Sequence, residues 1–315
     1  MCTRDCSIRA VRIVFFGTPE FAVPALDAVA SEHEIVLVVA QPDKPAGRGM
    51  KMQAPAVAVR ARELGVPLLQ LPKIRTAEFL EDVRRVEPDA GIVIAYGKIL
   101  PAALLEIPKH GFFNVHASVL PQWRGAAPIQ RSIEAGDRVT GVTIMRVDEE
   151  LDHGPMLAIE TTEISAGERT PELARRLSVI GADALARVLS EVERGVAVET
   201  PQDHARATIA PKIEKSEGEV RFDEPASVIY NRFRAFDPWP GVFLTSGGET
   251  IKLTDIRPAD ASGAPRTVLA IDDGVVIAAG TGAIRVLEMQ RPGKPRTPAA
   301  AVARGLGWKA GEPVP

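Results

Sequence analysis

The sequence predicts an α/β fold: a Rossmann-like domain on a mainly parallel sheet, followed by a small C-terminal β-barrel. Three observations carry that prediction. Continuous apolar runs alternate with helical patterns from residue 11 to about 195, as βαβ units do. The texture changes after about 205, where PKIEKSEGE (211–219) is polar and charged. Short β-like runs separated by glycine then follow, at the spacing of a small barrel or sandwich. A boundary near 208 is expected, dividing 11–207 from 208–315 with the linker in the second part.

Each element has its own local signal. VRIVFFG (11–17) is an unbroken apolar run ending in glycine, which suits a parallel strand buried on both faces. TPEFAVPALDAVAS follows with helical spacing at Phe21, Leu26 and Val29, and EIVLVVA (34–40) is a second buried strand. QPDKPAGRGMKMQAP reads as a loop, rich in proline, glycine and cations. VAVRARELG is a helix stopped by Gly65, VPLLQ a short strand, EFLEDVRRVE a helix, and AGIVIAYG (90–97) and GFFNVHAS (111–118) two more strands. TGVTIMRVD (140–148) and PMLAIETTEI (155–164) extend the sheet as a hairpin. The next helix takes Thr170 as N-cap, Pro171 in the first turn and Gly195 as stop. Its Leu173, Leu177, Ile180, Ala184, Val188 and Val192 share the face that covers the sheet. SVIYNRFRAFDPWPG gives a helix ended by Pro238, and GVFLTS, ETIKLTDIRP, TVLAIDD, GVVIAAG and GAIRVLEMQ supply the barrel.

Composition bounds the function. The 315 residues are 45% apolar and 25% charged, ordinary values for a soluble globular protein. No apolar run approaches the ~20 residues of a membrane span, and the leader MCTRDCSIRA lacks a secretory apolar stretch, so a cytoplasmic protein is expected. Both cysteines, Cys2 and Cys6, lie in that leader, which excludes a disulfide framework for the fold. Residues 1–10 are expected to be disordered, with the fold starting near Val11. No His or Cys near that pair completes a metal set. A net charge of −3 argues against a surface that is basic throughout, yet a local basic stripe can still hold nucleic acid.

The chemistry-bearing residues cluster late in the first domain. After the first strand, G-T-P-E-F lacks the glycines of a dinucleotide loop, and Pro19 removes an N–H that could hold phosphate, so a nicotinamide oxidoreductase is disfavoured. In GFFNVHAS, Asn114, His116 and Ser118 share one face near the strand's carboxyl end, where ligands bind in open α/β sheets. Asn can donate to a developing oxyanion and His can shuttle a proton. Spacing alone leaves a structural pair and a reacting pair both open. VDEELDHG (147–154) offers four carboxylates, Asp148, Glu149, Glu150 and Asp152, any of which could orient the histidine.

NVHASVLPQWRGAAPIQRSI, GVTIMRVDEELDHGPML, QPDKPAGRGMKM, RAFDPWPG and LEMQRPGKP together resemble the methionyl-tRNA formyltransferase family, over the whole chain except the leader. The W-R-G-A-A-P-I-Q-R block and the P-A-G-R-G loop are specific to that family, whereas the Asn…His…Asp set is shared with folate-dependent formyltransferases in general. The resemblance implies a formyltransferase domain, an OB-like C-terminal domain, 10-formyltetrahydrofolate as formyl donor, no metal, and initiator methionyl-tRNA as acceptor, with the enzyme a monomer. It implies Asn114, His116 and Asp152 as catalytic residues. Ser118, Val119, Leu120 and Pro121 match the folate-contacting S-L-L-P, with valine in place of one leucine. Lys44, Arg48 and Lys51 fall in the loop that grips the acceptor stem; Lys212, Lys215, Arg291 and Lys294 are expected along the RNA, with Arg285 and Arg296 near them. The family usually has threonine where His153 stands, and His153 is expected to face solvent. The alternatives are a non-catalytic RNA-binding module and a formyltransferase acting on an amino-sugar nucleotide; the basic loop and basic C-terminal domain argue for the RNA substrate.

Overall fold

Seven strands form the first sheet in the computed structural model, which describes residues 11–46 and 50–315. They are β1 (Arg12–Gly17), β2 (Glu34–Ala40), β3 (Leu68–Gln70), β4 (Ala90–Ile94), β5 (Phe112–His116), β6 (Val139–Arg146) and β7 (Met156–Glu163). Their spatial order is β7-β6-β5-β4-β1-β2-β3. All neighbours from β5 to β3 are parallel, while β6 runs antiparallel to both β5 and β7, so β6 and β7 form the expected hairpin. Helices α1 (Val23–Glu32), α2 (Ala56–Glu63) and α3 (Ala77–Arg85) supply the long crossovers that parallel neighbours require. The predicted leader, with Cys2 and Cys6, lies outside the described residues.

The unbroken apolar run of β1 is explained by burial on both faces: Ile13, Val14, Phe15 and Phe16 are all fully covered. Phe16 meets Phe79, Tyr96 and Phe112 edge-on, with ring centroids 6.2, 5.3 and 5.5 Å away. Such aromatic pairs each add about 0.5–1.5 kcal/mol beyond area burial. Burial also pushes the Tyr96 phenol up to about 12, and its hydroxyl has no partner among the described residues. This cluster anchors the strands whose carboxyl ends carry the site.

A second compact unit comprises residues 127–138, 164–173 and 211–315. The last passage into it falls between Ala210 and Pro211, and two earlier segments belong to it as well. The earlier of these holds helix α4 (Pro128–Ala135). The later one contains the start of α5 (Thr170–Glu193). Thr170 does not cap as expected: its hydroxyl donates to the carbonyl of Ala235 at 2.6 Å, while the Arg169 N–H is taken by the Glu172 carboxylate. Helix α6 (Ala226–Ala235) packs on α4.

The sheet of this unit is antiparallel, as a small barrel requires. Strands β8 (Val242–Ser246), β9 (Glu249–Ala259), β10 (Val268–Ile271), β11 (Val275–Ala278) and β12 (Ala283–Gln290) lie in the order β8-β9-β12-β11-β10, with Thr297–Pro298 added beside β12. In β9 the buried residues are Ile251, Leu253 and then Ile256, a break in alternation. Irregular pairing with β12 between Leu253 and Ile256 inserts the extra residue that flips the face.

Ion pairs join α4 to the rest of this unit. Arg131 donates to Glu134 at 2.7 Å and to both carboxylate oxygens of Glu217 at 2.7 and 3.1 Å. Arg232 joins Glu224 and Glu134. Hydrogen bonding from Arg131 holds the Glu217 carboxyl below its usual 4.5. A depressed carboxyl stabilises the fold above its unfolded pKa and loses that contribution as pH falls through the folded value. Glu217→Gln should therefore lower Tm near pH 7, with the gap to wild type closing below about pH 4.5. A gap that stays constant from pH 7 to pH 3 in thermal melts would show that Arg131 draws nothing from this charge.

Candidate active site

The polar face of β5 ends in Asn114 and His116, two residues apart and on one side of the pleat. His116 is only 5% exposed, so its ring nitrogens must find partners or destabilise the strand. Asp152 stands beside one of them, as an ion partner once that nitrogen is protonated. It stands in the turn between β6 and β7 at φ +48°, a left-handed conformation that short polar side chains tolerate better than most. Its Oδ1 accepts from Asn114 Nδ2 at 3.3 Å, and its Oδ2 accepts from the Gly125 backbone N–H at 2.8 Å. His116 Nδ1 lies 3.6 Å from the same Oδ2. The three residues expected to act together therefore meet around one carboxylate.

The other face of the imidazole is equally constrained. His116 Nε2 is 2.9 Å from the carbonyl oxygen of Trp123. A carbonyl only accepts, so Nε2 carries the hydrogen, and Nδ1 is the nitrogen that gains or loses a proton beside Asp152. Trp123 presents its carbonyl from φ +62°. Its own N–H donates to Thr208 Oγ1 at 2.9 Å, and Arg124–Gly125 then pairs in parallel with Ile209–Ala210. Gly125 is required there: its φ is +120°, and a Cβ would sit 2.8 Å from the Ala210 carbonyl oxygen. At Gly154 a Cβ would come within 2.0 Å of the Arg146 carbonyl oxygen, so only glycine lets the Asp152 turn close onto β6.

Residues that the sequence reading did not single out complete the surroundings. Gln202, 5% exposed, donates from Nε2 to the carbonyls of Asp152 and Gly154 at 3.0 and 2.7 Å. Its Oε1 accepts from Nε and Nη2 of the buried Arg124 at 3.1 and 2.6 Å. Arg124 Nη2 also donates to His204 Nδ1 at 2.8 Å. His153 does not simply face solvent as expected. Its Nδ1 pairs with Asp148 Oδ2 at 2.8 Å, and its ring stacks on His204 with centroids 4.0 Å apart and planes 5° from parallel. Of the four acidic residues in that turn, Asp148 therefore holds His153 and Asp152 holds the strand residues. Nothing in PQDHAR (201–206) marks Gln202, because a lone glutamine outside a periodic element carries no local signal.

The expected ligand contacts are placed less uniformly. Ser118 and Leu120 are buried and spent on the turn: the Ser118 hydroxyl donates to Gln122 O at 2.6 Å, and the Leu120 N–H donates to Thr143 Oγ1 at 3.1 Å. Val119 and Pro121 are half-buried. Lys44 and Lys51 are exposed on two short antiparallel strands, Lys44–Ala46 and Lys51–Gln53. Arg48, between them in sequence, lies outside the described residues. Lys212, Lys215 and Lys294 are exposed. Arg291 is not an open cation: its Nε and Nη2 engage both oxygens of Glu249 at 2.8–3.1 Å. Arg285 is likewise paired with Asp272 and Asp273.

Comparison with known proteins matches both parts of the chain. Residues 11–189 fit the formyl transferase family and residues 212–307 the formyl transferase C-terminal domain. A methionyl-tRNA formyltransferase from Myxococcus xanthus is 46% identical over 284 residues, 90% of this chain and 91% of that protein. One from Thermus thermophilus is 43% identical over 298 residues, 94% of this chain and 97% of that protein. Among solved structures, an N-formyltransferase from Helicobacter canadensis in complex with folinic acid and dTDP-3-aminofucose superposes with a TM-score of 0.68 at 15% identity, covering 89% of this chain and 99% of that one.

Because Gly125 serves both the strand pairing and the Asp152 carboxylate, Gly125→Ala should be costly. Gly65→Ala is the control, at φ +68° with open space around it, and should cost about 1 kcal/mol. Gly125→Ala should cost roughly 2 kcal/mol more in urea denaturation. Equal costs would mean that Ala210 yields and the approach is not tight.

Proposed function

The chain belongs to the formyl transferase family, among the methionyl-tRNA formyltransferases, and from that membership we propose that it transfers the formyl group of 10-formyltetrahydrofolate to the α-amine of methionine on initiator methionyl-tRNA. It is a formyl-transferring enzyme. The observation that carries the mechanistic reading is the Asp152 carboxylate shared by Asn114, His116 and the Gly125 N–H.

Formyl transfer makes two demands that these residues can meet. As the amine attacks, the formyl oxygen gains negative charge and needs a fixed donor. One amide hydrogen of Asn114 is held by Asp152, which aims the other; a preorganised donor of this kind contributes about 10²–10³ in rate. A proton must also leave the amine as the new C–N bond forms, and one must reach the nitrogen that departs from the formyl carbon. His116 Nδ1 and Asp152 Oδ2, 3.6 Å apart, can take up and return it, since the Trp123 carbonyl keeps Nε2 out of the exchange. The folate donor supplies an activated formyl carbon. Asn114 donor chemistry suits its carbonyl oxygen, and the half-buried Val119 and Pro121 offer apolar contact for its ring system, with Ser118 and Leu120 shaping the turn from within.

The RNA half of the reading rests on exposed cations. Lys44 and Lys51 flank Arg48, and Lys212, Lys215 and Lys294 stand open in the second unit, able to neutralise phosphates. Arg291 contributes only if Glu249 is displaced. Residues 208–315 are proposed to act as the RNA-binding part. No helix among the described residues is long and apolar enough to cross a membrane; a monomer working in the cytoplasm is the proposed form. An amino-sugar nucleotide acceptor has fold-level likeness alone behind it, at 15% identity.

Two expected outcomes test this reading. His116→Ala should lower formyl transfer to methionyl initiator tRNA by at least ~10² while Tm shifts by only a few degrees; near-normal turnover would remove the proton-transfer role. Arg48→Ala should reduce transfer to initiator tRNA far more than it changes folate affinity. Its deficit should shrink on a tRNA variant with the first acceptor base pair restored. Equal loss on both tRNAs would make Arg48 a generic phosphate contact.

A further inference from the structure

We propose that Arg124 and Gln202 are a positioning pair that sets Asp152, and through it Asn114 and His116, for formyl transfer; this rests on the catalytic reading of Asp152 given above. Arg124 is 7% exposed and has no carboxylate partner among the described residues. Burying a guanidinium against neutral groups costs stability, so its retention calls for a reason beyond packing. The geometry supplies one. Arg124 only donates, and the carbonyls of Asp152 and Gly154 only accept. The Gln202 amide is therefore locked in one orientation, Oε1 toward Arg124 and Nε2 toward the turn.

That single amide holds the turn on both sides of His153. Asp152 sits at φ +48°, a sparsely populated conformation that persists only where the surroundings impose it. Gln202 Nε2 fixes the Asp152 carbonyl at 3.0 Å and the Gly154 carbonyl at 2.7 Å. The next residue after Arg124 holds the other end of Asp152, since the Gly125 N–H reaches Oδ2 at 2.8 Å. Arg124–Gly125 thus grips Asp152 at its main chain, through Gln202, and at its carboxylate. Neither Arg124 nor Gln202 bonds to Asn114 or His116. Any effect they have on the reacting groups passes through Asp152.

A double-mutant cycle on the full-length enzyme tests this, with steady-state formylation of methionyl initiator tRNA as readout. Gln202→Met keeps the side chain's length and removes all its hydrogen bonds. It should lower kcat about 10–100-fold, the scale of a misplaced catalytic group, with KM for either substrate changed less than about threefold. In an Asp152→Ala background the same substitution should cost nothing further. Multiplicative losses would make Gln202 an independent or merely structural residue and overturn the proposal, as would normal turnover by Gln202→Met alone. Normal turnover by Asp152→Ala would instead bring down the catalytic reading, and this proposal with it. Should Gln202→Met fail to fold, Arg124→Lys carries the same cycle, because it keeps the charge and loses the forked contact. Failure of both variants to fold would mark the pair as structural and likewise overturn the proposal.

Discussion

One carboxylate organises this site. Asp152 has two oxygens and three neighbours that converge on them: the Asn114 amide, the His116 imidazole and the Gly125 N–H. A half-buried carboxylate left without such polar neighbours would cost stability. Its donors in turn need it, because Asn114 and His116 sit on a strand whose other face is hydrophobic core. The ends of β5 and of the β6–β7 turn, distant in sequence, are joined by this group.

The turn that begins at Pro121 meets the site through several atoms at once. Trp123 turns its carbonyl to His116, Arg124 turns its side chain to Gln202, and Gly125 turns its N–H to Asp152. These consecutive residues face those ways with φ positive at both Trp123 and Gly125. The parallel pairing of Arg124–Gly125 with Ile209–Ala210 holds them there. The W-R-G motif is therefore a scaffold that contributes backbone atoms and the Arg124 side chain to the site.

Much of this was legible in the sequence and some was not, for identifiable reasons. Buried parallel strands announce themselves by unbroken apolar runs, and β1, β2 and β4 fall where those runs are. The polar face of β5 followed from alternation with a period of two. Asp152 could not be told from Asp148 by residue type, since both are carboxylates in one turn; the distinction lies in which one reaches β5 and which one holds His153. His153 and His204 were missed as a pair because stacking joins residues far apart in sequence. Gln202 was missed because its importance lies in two carbonyls and a guanidinium brought to it by other segments. The segment that forms α4 was placed in the first domain by chain order, without being read as a helix, whereas its Arg131 and Glu134 pair with Glu217 and Arg232.

The Trp123 carbonyl at His116 Nε2 leaves Nδ1, beside Asp152, as the nitrogen for the proposed proton exchange. The chain has five histidines, few enough for their ring nitrogens to be assigned individually. Nitrogen-15 NMR of histidine-labelled protein across a pH titration reads this directly. His116 is expected to keep its hydrogen on Nε2 throughout, with Nδ1 the nitrogen whose shift responds to pH. A neutral His116 protonated on Nδ1, with Nε2 bare toward Trp123, would contradict it.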